Sequence, residues 1–505
     1  MSVRNVVHEN LYFDSVALMR VAASLDDRPG IEAVSLVMAT DANRDVLSDA
    51  GLLTDEGRAA GPNDLIVAVR GNEAALVEAL SDADAALSQP WSPTDGTASP
   101  SHAASPRRLV GAPEGANLAL ISTPGRYAAA EALKALRHGM HVFIFSDNVP
   151  VQQEVMLKQE AHQRGLLVMG ADCGTTILNG LPLGFANAVR RGDVGLIGAS
   201  GTGLQQISTL LDSMGVGISQ LIGVGSHDLS AEVGGLSMLT ALDALAEDPS
   251  TNVIVLVSKP PAPAVAGEVL ARAAAAGKSV VVSFLGSDVR APAPQVVVAS
   301  DLREAARAAA RLSLGADVPA VEAPDLSPLV DTLPGRWLRA LYAGGTFAYE
   351  AELLLRPVLG AISSRVERYA PGRVPRLPDS HLVLDLGDDV FTSGRPHPMI
   401  DPATRIEFLR AAVRDPASAV VVVDIVIGHG AAEDPAGALA PVIAEAAGSP
   451  TAPLVLAFVV GTGHDPQNLG EQEQLLRDAG AVVVDDSTTA AEVAGDVLTK
   501  IGATR

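Results

Sequence analysis

DVGLIGASGTGLQQISTLLDSMG (193–215) is the stretch on which the reading of this chain turns. DVGLIG is continuously apolar, runs into the glycine-rich GASGTG (198–203), and continues as an apolar-periodic segment that stops at Gly215. A strand covered on both faces reads as an unbroken apolar run, and a strand passing through a glycine turn into a helix opens a parallel βα unit. The same alternation recurs outward in both directions. Strand-like runs are LIVAV (65–69), LALIS (118–122), HVFIF (141–145), LLVM (166–169), VIVLV (253–257), VVVSF (280–284), HLVLDL (381–386), VVVVDIVI (420–427), LVLAFVV (454–460) and AVVVD (481–485). RYAAAEALKALRHG (126–139) and VQQEVMLKQEAHQRG (151–165) read as helices between them. The expected fold is α/β, built as three Rossmann-like or flavodoxin-like parallel-sheet lobes.

The chain has 505 residues, which at roughly 100–200 per domain suits about three domains. The proline-rich GADVPAVEAPDLSPLVDTLPG (315–335) reads as a linker. The expected divisions are 1–190, 191–325 and 326–505, with SQPWSPTDGTASPSHAASPRR (88–108) as a Ser/Pro-rich insertion in the first lobe. A formal charge of −23 disfavours nucleic acid and anionic membranes as partners, but leaves room for a small anion held by backbone N–H groups. One cysteine, Cys173, excludes an intramolecular disulfide and a sulfur-based metal site, and it reads as a small buried hydrophobe. MSVRNVVHENLYFDS shows no signal core, and AVVVVDIVI (419–427) is too short to span a bilayer, so a cytoplasmic location is expected.

Three loops carry the candidate chemistry. Gly198, Ser200, Gly201, Thr202 and Gly203 stand at a helix start, where N–H groups lack helical partners and the dipole favours an anion. The same residues also suit a plain tight βα turn. His227 lies in GVGSHD (223–228), at the end of another strand-like run, as a general acid or base or as an ordinary loop histidine. In the last lobe, Asp388, Asp389, Arg395 and His397 lie in one loop, His429 with Glu433 and Asp434 in a second, and His464 with Asp465 in a third. Arg395 offers a fork for a carboxylate or phosphate, while Asp434-Pro435 and Asp465-Pro466 read as helix N-caps. No metal motif, Walker lysine or G-x-S-x-G elbow is present.

Residues 121–180, ISTPGRYAAAEALKALRHGMHVFIFSDNVPVQQEVMLKQEAHQRGLLVMGADCGTTILNG, resemble the CoA-binding lobe of the succinyl-CoA synthetase α subunit. GLIGASGTG (195–203) and GVGSHDLSAEVGG (223–235) resemble its first ligase-lobe loops. From about 336 onward the chain is similar to the β-subunit ligase lobe, opening with a helix-like RWLRALYAGGTFAYEAELLL (336–355). The fused order, with LYFDSVALM (11–19), AGPNDLIVAV (60–69) and GDDVFTSGRPHPMIDP (387–402), resembles the FdrA family. Two features depart from the synthetases. VVVSFLGSDVRAPAPQVVVASDL (280–302) has no histidine where they carry a phosphohistidine, and VSLVMATDANRDVL (34–47) replaces a glycine-rich CoA loop.

The resemblance implies a subunit of an oxamate carbamoyltransferase of allantoin breakdown, moving a carbamoyl group between phosphate and the oxamate nitrogen. It implies phosphate at Gly198–Gly203, a carboxylate at Arg395, and His227 or His429 for proton handling. Carbamoyl phosphate, oxamate and further subunits are the implied partners, in an oligomer, and CoA is the candidate cofactor. The alternatives are an acyl-CoA-synthetase-like CoA-binding protein acting with a separate nucleotide-binding subunit, or a non-catalytic scaffold subunit.

Overall fold

The computed structural model describes the chain apart from residues 1, 10, 12–17, 19–20, 23, 26–27, 89–111, 113, 320–322, 327–329, 331–332, 334, 367–368, 370–373, 393–394, 447–451 and 503–505. Most of the Ser/Pro-rich insertion therefore lies outside the described residues. The chain forms two compact units, one of residues 1–113 with 393–396, the other of 114–392 with 397–505.

In the first unit, β1 (Ser2–His8), β2 (Ile31–Met38) and β3 (Leu65–Gly71) form a sheet of order β1-β3-β2, with both neighbours antiparallel to β3. Strand periodicity splits the fully buried β3 between two small cores. Leu65, Val67 and Val69 pack with Leu76, Ala79 and Ala83 of the helix Glu73–Ser88, while Ile66 and Ala68 pack with Leu47 and Leu52. The expected single lobe 1–190 thus begins with a separate antiparallel sheet rather than a parallel one. The run 65–69 is apolar throughout because both its faces are covered, which any central strand can satisfy whatever its neighbours' direction.

The second unit opens with a small parallel sheet of β4 (Leu118–Ile121), β5 (His141–Ile144) and β6 (Val168–Met169). The hairpin β7 (Thr175–Leu178) and β8 (Leu181–Gly184) then joins the edge of a seven-stranded sheet. Its parallel part holds β9 (Arg191–Gly198), β10 (Ile218–Gly223), β11 (Val253–Ser258), β12 (Ser279–Phe284) and β13 (Val296–Val298), in spatial order β13-β12-β11-β9-β10. That is the flavodoxin-like order, whose switch point falls between β9 and β11.

The last sheet repeats it. β14 (Trp337–Tyr342), β15 (Ile362–Ser363), β16 (His381–Asp385), β17 (Ser418–Val426), β18 (Leu454–Val460) and β19 (Val482–Val484) lie all parallel in the order β15-β16-β14-β17-β18-β19, with the switch point between β14 and β17. Residues 337–342, expected as helix, are therefore the central strand of this sheet. Arg339 interrupts the apolar run, yet it is buried, with its guanidinium on Asp415 (2.9 Å) and the Ser380 carbonyl (2.6 Å).

The two large sheets share one apolar core through four helices: Gly201–Ser213, Leu302–Leu314, Gly345–Leu359 and Ser487–Lys500. Alanines dominate the contact, among them Ala305, Ala306, Ala309, Ala490, Ala491 and Ala494. Small side chains let the helix axes approach closely, and many weak dispersion contacts accumulate. Glu350 lies inside this layer. It accepts the Leu302 N–H (2.9 Å) and the hydroxyls of Ser487 and Thr488, so one carboxyl ties together the starts of two neighbouring helices.

Burial pushes the Glu350 carboxyl up to about 7 from an ordinary 4.5. The folded chain then holds this proton more tightly than the unfolded one. Its contribution to stability is greatest below 4.5 and falls as pH rises to about 7. Glu350→Gln should flatten that part of the profile. Thermal melts of parent and variant from pH 5 to 8 are expected to diverge in favour of the variant as pH rises, by on the order of 1–3 kcal/mol.

Candidate active site between two opposed helix N-termini

β9 and β14 hold equivalent positions in their sheets, and the helix following each begins at the lobe interface. Ser200 caps the first: its Oγ accepts the Gly203 N–H at 3.0 Å. The turn tolerates only glycine at two places. A Cβ on Gly198 would fall 2.9 Å from Leu204 Cγ, and one on Gly203 would fall 2.5 Å from Ser200 Oγ. Across the interface, Thr346 stands in the first turn of Gly345–Leu359, and its hydroxyl is hydrogen-bonded to Ser200 Oγ at 2.6 Å. A Cβ on Gly344 would meet Thr202 Cγ2 at 2.8 Å. The two N-termini therefore meet head on, with Ser200 and Thr346 both buried between them.

Asp424 of β17 fixes the second turn. Fully buried, it accepts the N–H groups of Ala343 (2.8 Å) and Gly344 (3.0 Å) and pairs with the buried Arg405 (2.8 Å). Asp385, ending β16, lies beside Gly345, where a Cβ would fall 2.2 Å from its Oδ2, and accepts the Gly387 N–H at 2.9 Å. Burial raises the Asp385 carboxyl to about 6 against the opposing charge of Lys259. His397 Nε2 and Asp385 Oδ1 both flank Gly387, at 2.7 and 3.2 Å from where its Cβ would stand. Burial and the Arg405 charge lower the His397 imidazole to about 4, so it is neutral.

The arrangement combines two helix dipoles, two buried hydroxyls and a carboxyl that titrates near neutrality, with the exposed Lys259 acting on that carboxyl. Such a site suits a tetrahedral oxyanion of phosphoryl type. The two hydroxyls, hydrogen-bonded to each other, occupy the space between the helix starts.

The expected anion set Gly198, Ser200, Gly201, Thr202 and Gly203 is thus gathered at the interface. Of the other candidates, His397 joins it beside Gly387, and His227 and His429 do not. His227, half exposed, has Nδ1 3.4 Å from Glu154 Oε2. Glu154 and Asp228 in turn hold the buried Lys158 at 2.8 and 2.7 Å. His429 exchanges backbone hydrogen bonds with Ala186. Arg395 belongs to the first compact unit, with residues 1–113. Asp434 caps the helix Pro435–Ala446 through the Gly437 N–H, as expected. Asp465 does not cap a helix; Asn468 does, and Asp465 instead accepts from Ala188, Asn187 and Thr462. Cys173 is buried, its thiol raised to about 11 by burial. Sequence reading missed Thr346, Lys259, Asp385, Asp424 and Arg405 as site residues. The signal for the first was Ala343-Gly344-Gly345-Thr346, a strand-end glycine turn read as helix interior.

Three protein-family models match: "AllF, heavy metal-associated domain" over 1–103, "CoA binding domain" over 189–286 and "CoA-ligase" over 341–497. The second begins at β9, whereas the resemblance read from the sequence put the CoA-binding-like lobe within 1–190. The fold and these matches define the class, a succinyl-CoA-ligase-like α/β protein of the acyl-CoA synthetase type. The protein YahF of Escherichia coli K12 is 41% identical over 99% of both chains. The chain belongs to the family of YahF, the FdrA and succinyl-CoA-synthetase-like proteins. It is also 25% identical to the succinate–CoA ligase α subunit of Methanothermobacter thermautotrophicus, over 28% of this chain and 48% of that one. The apo dinucleotide-forming acetyl-coenzyme A synthetase 1 of Ca. Korarchaeum cryptofilum superposes with a TM-score of 0.34 at 16% identity, covering 78% of this chain and 85% of that one, too loosely to bear on the site.

The stretch 1–103 offers no thiolate to a soft metal ion, since the single cysteine, Cys173, lies outside it. No group of three or more His, Cys, Asp or Glu residues able to hold a metal occurs among the described residues. Likewise, no helix among them is long and apolar enough to cross a membrane.

Asp424→Ala strands two buried N–H groups and the Arg405 guanidinium. It should cost about 3–5 kcal/mol in urea denaturation. Adding Arg405→Met is expected to recover part of that loss, because the remaining unpaired charge is removed.

Proposed function

We propose that this chain is the CoA-binding, group-transferring subunit of an acyl-CoA-synthetase-type enzyme, working with a separate nucleotide-binding subunit. The observation that carries the proposal is the meeting of the two helix N-termini at Ser200 and Thr346, each at the switch point of a sheet matched by a CoA-binding or CoA-ligase family model. The opposed amides and hydroxyls hold the phosphoryl end of an acyl phosphate, and Lys259 balances its charge. Asp385, with its carboxyl near 6, accepts a proton at neutral pH.

CoA, when bound, supplies the thiol that receives the acyl group. The carboxyl edge of β4–β6 offers it unfilled hydrogen-bonding capacity. Thr123 Oγ1 and Gln153 Oε1, at the starts of the helices after β4 and β5, are buried without a hydrogen-bond partner. Those two residues, with the helix N-termini at Gly125 and Val151, would hold the phosphates and polar groups of CoA.

A second reading is carbamoyl transfer between phosphate and oxamate, with His227, His429 and Arg395 in the roles given above. One observation favours it: no histidine occurs between His227 and His381, so β11 to β14 provide no phosphohistidine and direct transfer from a bound phosphate is the simpler chemistry.

A nucleotide-free half-reaction separates the two. The chain, alone and with its partner subunits, is mixed with CoA and succinyl phosphate, or with oxamate and carbamoyl phosphate, and thioester and released phosphate are measured. Thioester formation that falls roughly 10²–10³-fold in Ser200→Ala with Thr346→Val is the expected result. Phosphate release that depends on oxamate would favour carbamoyl transfer. Neither product, together with no CoA binding by calorimetry, overturns both readings.

A further inference from the structure

Apart from the Ser200–Thr346 junction, a cleft of about 290 Å³ opens where β7–β8 and residues 187–190 meet the loops after β17 and β18. Gly180, Asn187, Arg190, His429 and His464 line it. We infer that this cleft is a binding site for a small anion, the phosphate or carboxylate group of a metabolite.

Three potential cations, Arg190, His429 and His464, line it, and a fourth, Arg191, packs against the lining residue Gly180, in a chain of net charge −23. The Arg190 guanidinium is held in plane by Asp212, with Nε 3.0 Å from Oδ1 and Nη2 3.4 Å from Oδ2, which leaves Nη1 for a ligand. The Arg191 side chain lies over Gly180, a residue at φ +81° whose Cβ would crowd Arg191 Cδ at 3.1 Å, and Arg191 forms no ion pair among the described residues. His429 and His464, both exposed, follow the carboxyl ends of β17 and β18, the edge where open α/β sheets bind ligands.

The frame is rigid. The buried Asn187 donates to the Ile427 carbonyl (2.8 Å) and Asp465 Oδ2 (2.9 Å), and accepts from Gln205 (3.2 Å). The Ala188 N–H donates to Asp465 Oδ1 at 2.6 Å. Guanidinium and imidazole groups brought from three chain segments are thereby positioned before any ligand arrives. The volume lies at the small end of ligand pockets, which suits a compact phosphorylated or dicarboxylate molecule. This site is separate from the junction. Arg190 pairs with Asp212 in the last turn of the helix that Ser200 caps, and the twelve-residue rise from Ser200 to Asp212 at about 1.5 Å per residue puts about 18 Å between the two.

Calorimetry on the full chain at low ionic strength, with inorganic phosphate and separately with oxalate, tests this. Saturable binding is expected for at least one probe, and the tighter of the two tells phosphate from dicarboxylate chemistry. His429→Gln with His464→Gln, and separately Arg191→Gln, should each weaken it about tenfold or more. These positions are exposed, so melting temperatures should not move; the binding that persists in Ser200→Ala and is lost in the glutamine variants is that of this cleft rather than of the junction. The inference is overturned if neither anion saturates, if the glutamine variants bind as the parent does, or if binding is lost in Ser200→Ala alone.

Discussion

A single buried carboxylate sets the geometry on which the lobe interface depends. Asp424 accepts two successive backbone N–H groups, of Ala343 and Gly344, at the point where β14 turns into its helix, and Arg405 balances its charge. A carboxylate on adjacent amides fixes both the direction and the start of the helix that follows. Thr346 then reaches Ser200, Gly344 admits Thr202, and Gly345 lies against Asp385. Buried ion pairs seldom add net stability compared with apolar residues of the same shape, yet they penalise any arrangement that separates them. The contribution of Asp424 and Arg405 is therefore one of position.

The same burial moves the neighbouring groups in opposite senses. Loss of water disfavours charge, so it raises the Asp385 carboxyl to about 6 and lowers the His397 imidazole to about 4. A carboxyl that titrates near neutrality beside a neutral imidazole, at the ends of two helix dipoles, is a place where a proton and a phosphoryl charge can be managed together.

Behind this junction, the alanine-rich helix layer allows the lobes to act as one body. Glu350, one turn beyond Thr346 on the same helix, joins the helix starts at Leu302 and Ser487 inside this apolar core. The N-terminal unit stands apart in kind. Its sheet is antiparallel, and the stretch matched by the heavy-metal-associated model holds no cysteine, so it offers no thiolate site.

Much of the α/β alternation could be read directly, because strands covered on both faces leave unbroken apolar runs such as 253–257 and 454–460. The strand β14 reads as helix because Arg339 breaks its apolar run, an interruption made tolerable by partners the local sequence does not show, Asp415 and the Ser380 carbonyl. The glycine-rich loop 198–203 was legible as an anion-type turn, since its glycines and hydroxyls are contiguous. Its counterpart was not, since Ser200 and Thr346 are 146 positions apart. By itself, then, the sequence determined the strand-and-helix rhythm, the absence of disulfides and one half of the candidate site. Only the tertiary structure decided what completes that site, because backbone amides, a buried carboxylate and a hydroxyl from different strand ends become one electrostatic unit only when two sheets pack with their first helices end to end.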